Sequence, residues 1–304
     1  KSIVVSKDNA PDITPSIAKA ASGALEVINY VKVTNLSNAI RNFKKNKTFS
    51  GILTIGVGNV VGGAITSFFW LFLAGILSTE SYGQLSYFLA IMGITSVAAS
   101  FGGPFTMQVY VSKGLKIEAV LYFISIITSL IGAIILFFMF EDIGLSLLVI
   151  GTCVLNLYLV ELLGKKLFSK HSKIYIVQKL LFVALSLLFY FTIGFEGILI
   201  GFALSNFVFI KHVINILRKE KLNFNIITEK KKIVFSNYLS NLVSTTRNHI
   251  DELLTVPLFG LSLLGNYFLA LQLVALMYIL PSLVVKYTLS EDSRGNSTRK
   301  VKGI

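Results

Sequence analysis

Charge is scarce in this chain. Lys, Arg, Asp and Glu make up 14% of its 304 residues, against about a quarter in a typical soluble domain. Acidic groups are the scarcest: 15 Asp and Glu face 28 Lys and Arg, giving a formal net charge of +13. The single cysteine, Cys153, excludes an internal disulfide and a cysteine zinc cluster, and its place in an apolar run predicts that it packs. Zinc-protease, serine-hydrolase and Walker-type phosphate-loop motifs are missing, as is any cluster of Cys and His. Neither an enzyme nor an ATP-driven motor is expected, and no metal or cofactor. The charged start and short apolar core of a secretory signal peptide are missing too.

What fills the chain instead is apolar. Hydrophobic residues are 54% of it and the mean hydropathy is +0.74, a balance that points to an integral membrane protein. In a soluble protein the basic excess would suggest nucleic acid. Here the basic residues stand in short loops between apolar runs, so no nucleic-acid partner is expected.

The apolar runs predict spans over 51–77, 84–111, 119–140, 143–163, 174–193, 196–216, 233–259 and 261–289. Most reach the ~20 residues that a helical crossing needs. The runs are continuous rather than alternating, which disfavours a β-barrel. The connections between them sort by charge. Arg41, Lys44, Lys45 and Lys47 precede the first span; Lys113 and Lys116 follow the second. Lys165, Lys166, Lys170 and Lys173 follow the fourth, Arg218 to Lys232 the sixth, and Arg294, Arg299, Lys300 and Lys302 the eighth. The intervening connections hold only Glu80, Glu141, Asp142 and Glu196. The positive-inside rule then places both ends of the chain in the cytoplasm.

The expected architecture is an all-α, polytopic membrane helix bundle of about eight transmembrane helices. Residues 1–50 form a cytoplasmic tail and 51–217 a first six-helix bundle. Residues 218–232 are a basic linker, 233–289 the first two helices of a second bundle, and 290–304 a basic cytoplasmic tail. Within the first tail, Leu36, Ile40 and Phe43 have the spacing of a short interfacial helix, with a disordered tail as the alternative. The chain opens on Lys1 rather than methionine, and it is expected to be a piece of a longer polypeptide.

One span is unusual. Between Ile233 and Gly260 stand Arg247, His249, Asp251 and Glu252, each costing at least ~2.5 kcal/mol if turned to lipid. At helical spacing Asn237, Asn241, Ser244, Asn248, Asp251 or Glu252, and Thr255 form one stripe, expected to face protein or a water-filled cavity. Arg247 and Asp251, one turn apart, either pair with each other or divide the work. In the second case Arg247 receives a phosphate and Asp251 or Glu252 binds a proton or sodium ion. His249 is a titrating group or a plain hydrogen-bonder. On the first span Asn59, Gly63, Thr66 and Trp70 share a face, expected to look toward the stripe, and Gly58 and Gly62 have the small-xxx-small spacing of close helix contacts. Lys179, within the fifth span, is a candidate for the substrate or ion path, with reach to the headgroups as the alternative; Glu161, near the end of the fourth, is expected to reach the headgroups. Asn156 and Asn206 are candidates for bonds between helices.

A shift of 182 residues lays the first span on the seventh, with Asn59 on Asn241 and Gly83 on Gly265. Each copy has a basic lead-in, a long span, a short loop and a second span with a break: Gly102-Gly103-Pro104 in one, Pro281 in the other. Repeats entering from the same side are a transporter pattern.

The stretch WLFLAGILSTESYGQLSYFLAIMGITSVAASFGGPFTMQVYVSKG resembles the first two spans of polysaccharide exporters, and NHIDELLTVPLFGLSLLGNYFLALQLVALMYILPSLVVKYTLSEDSRG their seventh and eighth. The family is the O-antigen and teichoic-acid flippase group of the multidrug/oligosaccharidyl-lipid/polysaccharide superfamily. The likeness rests on Pro104, on Asp251, Gly260, Gly265 and Tyr267, and on the charged string Glu291-Asp292-Ser293-Arg294. It implies two helical bundles facing each other across a lumen, and export of lipid-linked oligosaccharide across the cell membrane. The implied partners are that lipid-linked substrate, membrane lipids and other glycan-assembly proteins. The alternatives are an ion-coupled drug exporter of the same superfamily and a membrane-embedded glycan polymerase or glycosyltransferase. The short extracytoplasmic loops speak against the last.

Overall fold

The computed structural model describes residues 2–6, 29–33, 47–229 and 231–292. The chain divides into two compact units, one of Lys1–Leu53 with Pro281–Ile304 and the other of Thr54–Leu280. In the first, strands β1 (Ser2–Ser6) and β2 (Asn29–Val33) pair in parallel, with Ser2 opposite Asn29 and Ser6 opposite Val33. Val4 and Val5 face Val31 and Lys32 in that ladder, a β-branched pairing that the sequence reading of the tail did not anticipate. The interfacial helix expected around Leu36, Ile40 and Phe43 lies outside the described residues.

Everything else described is helix. In order these are α1 (Lys47–Ile76), α2 (Thr79–Ser100), α3 (Gly103–Ser112), α4 (Glu118–Phe140), α5 (Ile143–Gly164), α6 (Phe168–Ile193), α7 (Glu196–Phe207), α8 (Ile210–Lys219), α9 (Asn225–Glu229) and α10 (Lys231–Asp292). Six helices are long and apolar enough to cross a membrane: Leu53–Ile76, Thr79–Ser100, Glu118–Phe140, Ile143–Gly164, Phe168–Ile193 and Val234–Met277. The pair α7 and α8, bent by 43°, supplies a seventh if it acts as one span. The protein is a multi-pass membrane protein.

Local chemistry sets the helix ends. Ser78 caps α2 by accepting the Ser81 amide at 3.1 Å, and Asp142 caps α5 by accepting the Leu145 amide at 2.7 Å. Burial pushes the Asp142 carboxyl above its usual range, against the pull of the Leu145 and Gly144 amides. The stretch expected as one span over 84–111 is two helices. Phe101 (φ 47°) and Gly102 (φ 75°) are both left-handed, so α2 stops there, and Gly103 and Pro104 open α3. Proline suits a first helical turn, where its missing N–H has no partner to lose.

Pro281 falls within the long helix α10. Gly260 within α10 leaves helical geometry (φ 84°, ψ 172°), a conformation that only glycine adopts without strain. The chain reverses there. Asp251 accepts a hydrogen bond from the Tyr267 hydroxyl, 16 residues on; a straight helix would separate them by about 24 Å, beyond the reach of both side chains. α10 is therefore two arms meeting at Gly260.

The arms pack on α1 and α2. Phe69 and Trp70 of α1, Tyr82 of α2, Phe182 of α6 and Phe268 of the second arm form one aromatic core, with Trp70 and Phe268 ring centres 5.8 Å apart. The close approach is at two glycines: a β-carbon on Gly83 would collide with the Leu261 carbonyl, and one on Gly265 with the Thr79 carbonyl. Thr79 and Gly83, advanced by 182, are Leu261 and Gly265. The two contacts are thus reciprocal, the mark of a local two-fold relation. Gly58 and Gly62 meet side chains instead, those of Ser172 and Tyr175 on α6.

Candidate functional site

A cavity of about 570 Å³ opens among α1, α2, α3, α5, α6 and the first arm of α10. Asn59, Asn156 and Asn241 line it from three different helices, along with Ser96, Ser100, Cys153, His171 and Tyr175. Among the described residues no Asp, Glu, Lys or Arg lines it. Its hydroxyls are partly spent: Ser96 donates to the Gly93 carbonyl at 3.0 Å and Ser100 to that of Val97 at 2.9 Å. The three carboxamides have no protein hydrogen bond among the described residues. His171 is only 6% exposed and its Nδ1 is unpartnered, with its ring parallel to that of Tyr175. A buried polar group left without a partner costs about 1–3 kcal/mol; that holds for His171, while Asn59 and Asn156 are exposed and Asn241 is half-buried, so the wall offers a guest one orphaned ring nitrogen and three open carboxamides. Of the two asparagines considered for helix contacts, Asn206 does bond between helices, accepting from Gln178 at 2.8 Å and donating to Thr152 at 3.2 Å. Asn156 faces the cavity instead.

Of the polar stripe on the first arm of α10, Asn241 lines the cavity. Arg247 is exposed and borders a separate groove of about 440 Å³ with Ser236, Ser240 and Ser244. It has no carboxylate within ion-pair distance among the described residues, because Asp251 is taken by Tyr267. Asn248 is exposed. His249 Nδ1 lies 2.8 Å from Glu252 Oε2, and its Nε2 would be 2.9 Å from a β-carbon on Gly93 of α2. Glu252 is buried. Thr66 donates to the Gly62 carbonyl of its own helix at 2.8 Å, and Trp70 belongs to the aromatic core. Lys179 holds its ammonium 5.3 Å from the Tyr175 ring and 6.0 Å from that of Phe202, a cation–π seat rather than a reach to the headgroups.

Comparison with family models, curated proteins and solved structures finds no match.

A second polar site escaped the sequence reading. Glu161, fully buried on α5, accepts from the Tyr122 hydroxyl at 2.6 Å and from Lys165 Nζ at 2.6 Å. His212 Nε2 of α8 lies 3.0 and 3.1 Å from its two oxygens. Lys165 also reaches Glu118 of α4 at 3.1 Å. Burial disfavours the charge of Lys165, but Glu161 and Glu118 override this and hold its ammonium above the usual lysine range. At Glu220, just past α8, burial and then the charge of Glu118 push the carboxyl up. The spacing of Glu161 and Lys165, one helical turn, was the available signal. His212, 51 residues away in sequence, left none.

Proposed function

We propose that this chain is a flippase of the polysaccharide-export group of the multidrug/oligosaccharidyl-lipid/polysaccharide superfamily. It moves lipid-linked oligosaccharide across the cell membrane by alternating access. The observation that carries this reading is the uncharged cavity with three unpartnered carboxamides and a buried, unpartnered imidazole. Its volume of about 570 Å³ is that of a small-molecule site, and amides beside an aromatic ring answer the hydroxyls and apolar faces of a sugar. A cationic drug calls for a carboxylate in the wall, and the described residues place none there. The serine-lined groove ending at the unpaired Arg247 is suited to the phosphate of the lipid carrier, since guanidinium binds phosphate oxygens bidentately. The polyprenyl tail stays in lipid throughout.

In this reading the arms of α10 on either side of Gly260 are two crossings and the bent pair α7–α8 is one, giving eight spans with both chain ends cytoplasmic. The reciprocal contact of Gly83 and Gly265 supports two repeats that rock against each other. Substrate lipid, bulk membrane lipid and other glycan-assembly proteins are the partners.

The test is surface glycan in cells whose only copy is Asn59→Leu/Asn241→Leu. Losing two hydrogen bonds of ~0.7 kcal/mol each is expected to cut glycan delivery about tenfold at unchanged protein level. Undiminished delivery, or a change in drug accumulation with glycan intact, overturns the reading.

A further inference from the structure

The Glu161 cluster lies outside the cavity just described and is built unlike it. Among the described residues no Asp, Glu, Lys or Arg lines the cavity, whereas here four ionisable side chains converge: Glu118 and Glu161 sealed from water, Lys165 and His212 partly exposed. Glu161 and Glu118 are 0% and 5% exposed. Lys165 balances one of the two carboxylates. The other is balanced only when the His212 ring carries two protons, because neutral imidazole leaves the buried site one negative charge in excess. Unbalanced charge in such a place is costly.

His212 is also where the fold has a joint. It stands on α8, beyond the 43° bend that separates α8 from α7. Apart from this contact α8 is held by the apolar packing of Val213 and Ile216 against α4 and α5, and by the His212 ring on Tyr158 at 4.4 Å. The imidazole is half-buried, so protons from water reach it although Glu161 is sealed.

We propose that Glu161 and His212, with Lys165 and Glu118, form a proton-binding site that fastens the bent half-span α8 to α4 and α5 when occupied and loosens it when the proton leaves. Histidine is the side chain whose ordinary titration falls between about pH 5 and 8. The other groups facing it are accounted for. From α4 come Glu118 and Tyr122; from α5, Tyr158 and Lys165; from α6, Lys170 over the Tyr158 ring at 5.9 Å. Glu220 stands at the rim and interacts with Lys116 and with Glu118, Glu161 and Lys165 of the cluster. Lys116 and Lys170 are exposed, so water and salt screen them. α5 carries the signal onward, because Val160 and Leu163, flanking Glu161, line the central cavity.

The sign follows from the charges. With the His212 ring protonated the contact with Glu161 is a bond between two ions; with the ring neutral it is a weaker bond from a neutral donor to a carboxylate. The difference of about 1.4 kcal/mol corresponds to tenfold in opening. The experiment is amide hydrogen exchange of residues 210–219 in the full chain in lipid nanodiscs at about pH 5.5 and about pH 8, corrected for intrinsic exchange. The expected result is about tenfold faster exchange at the higher pH in the wild type. His212→Gln exchanges fast at both and His212→Arg slowly at both. Equal protection of the wild type at the two pH values overturns the proposal, and so does a pH response that survives in His212→Gln. The wild-type comparison stands alone if a variant does not fold. The readout follows α8 and not the cargo, so it succeeds or fails independently of the sugar-transport reading.

Discussion

Two regions carry ionisable groups inside apolar helices, and they treat them in opposite ways. In the first arm of α10, Arg247 and Asp251 are exposed while Glu252 is buried, and each bond formed there is a single one: Asp251 with Tyr267, Glu252 with His249. Around α5, Glu161 has three partners from three helices and no exposure. The first pattern leaves charge available to something that arrives; the second spends it within the fold. Density of charge along a sequence therefore says little about which charges hold the structure together. Closure of the partner set does.

Substitutions can break that contrast. The largest effect is expected from Glu161→Ala, which strands Lys165, His212 and Tyr122 of their shared acceptor and is expected to cost about 3 kcal/mol or more. Asp251→Ala, at an exposed site, is expected to cost less than about 1 kcal/mol. Thermal unfolding of the two variants in the same detergent gives the comparison, and equal losses would erase it. Next is Gly83→Val. Its side chain would run into the Leu261 carbonyl, and overpacking of about 1–3 kcal/mol is expected to lower the unfolding temperature measurably. The smallest structural effect is expected at Arg247→Ala, within about 0.5 kcal/mol of wild type. In the proposed function the same variant loses glycan delivery, and normal surface glycan at normal protein level would remove Arg247 from the substrate path.

Lysine sharpens the pH argument. The pKa of Lys165 is raised by its carboxylates, so the stability it contributes is complete below the ordinary lysine range and is lost only as the pH climbs beyond it. Loosening of α8 near neutral pH cannot come from Lys165.

The membrane-spanning character was legible because hydropathy is a property of single runs, and the apolar stretches are those that form α1 to α8 and the two arms of α10. The meeting of two expected spans at residues 259–261 coincides with the reversal at Gly260. The partners were not legible. Arg247 and Asp251, one turn apart, looked like a pair, but helical spacing describes one helix only. The turn at Gly260 brings in Tyr267, which takes the carboxylate. A break was expected at Pro281, while the reversal described in α10 comes at Gly260, a glycine with positive φ that the spacing had not singled out as a break. The split of α2 from α3 was half visible. Gly102 and Pro104 were named, but Phe101, which also turns left-handed, carries no compositional warning.

The nested glycines have a mechanical meaning. Where Gly83 and Gly265 meet, each backbone fills the dent left by the other's missing side chain, and no flexible atoms lie between them to yield. Pulling these helices apart would open an empty gap, while rolling one about the other would not. These two backbones therefore form the place about which the helices can turn without opening a void.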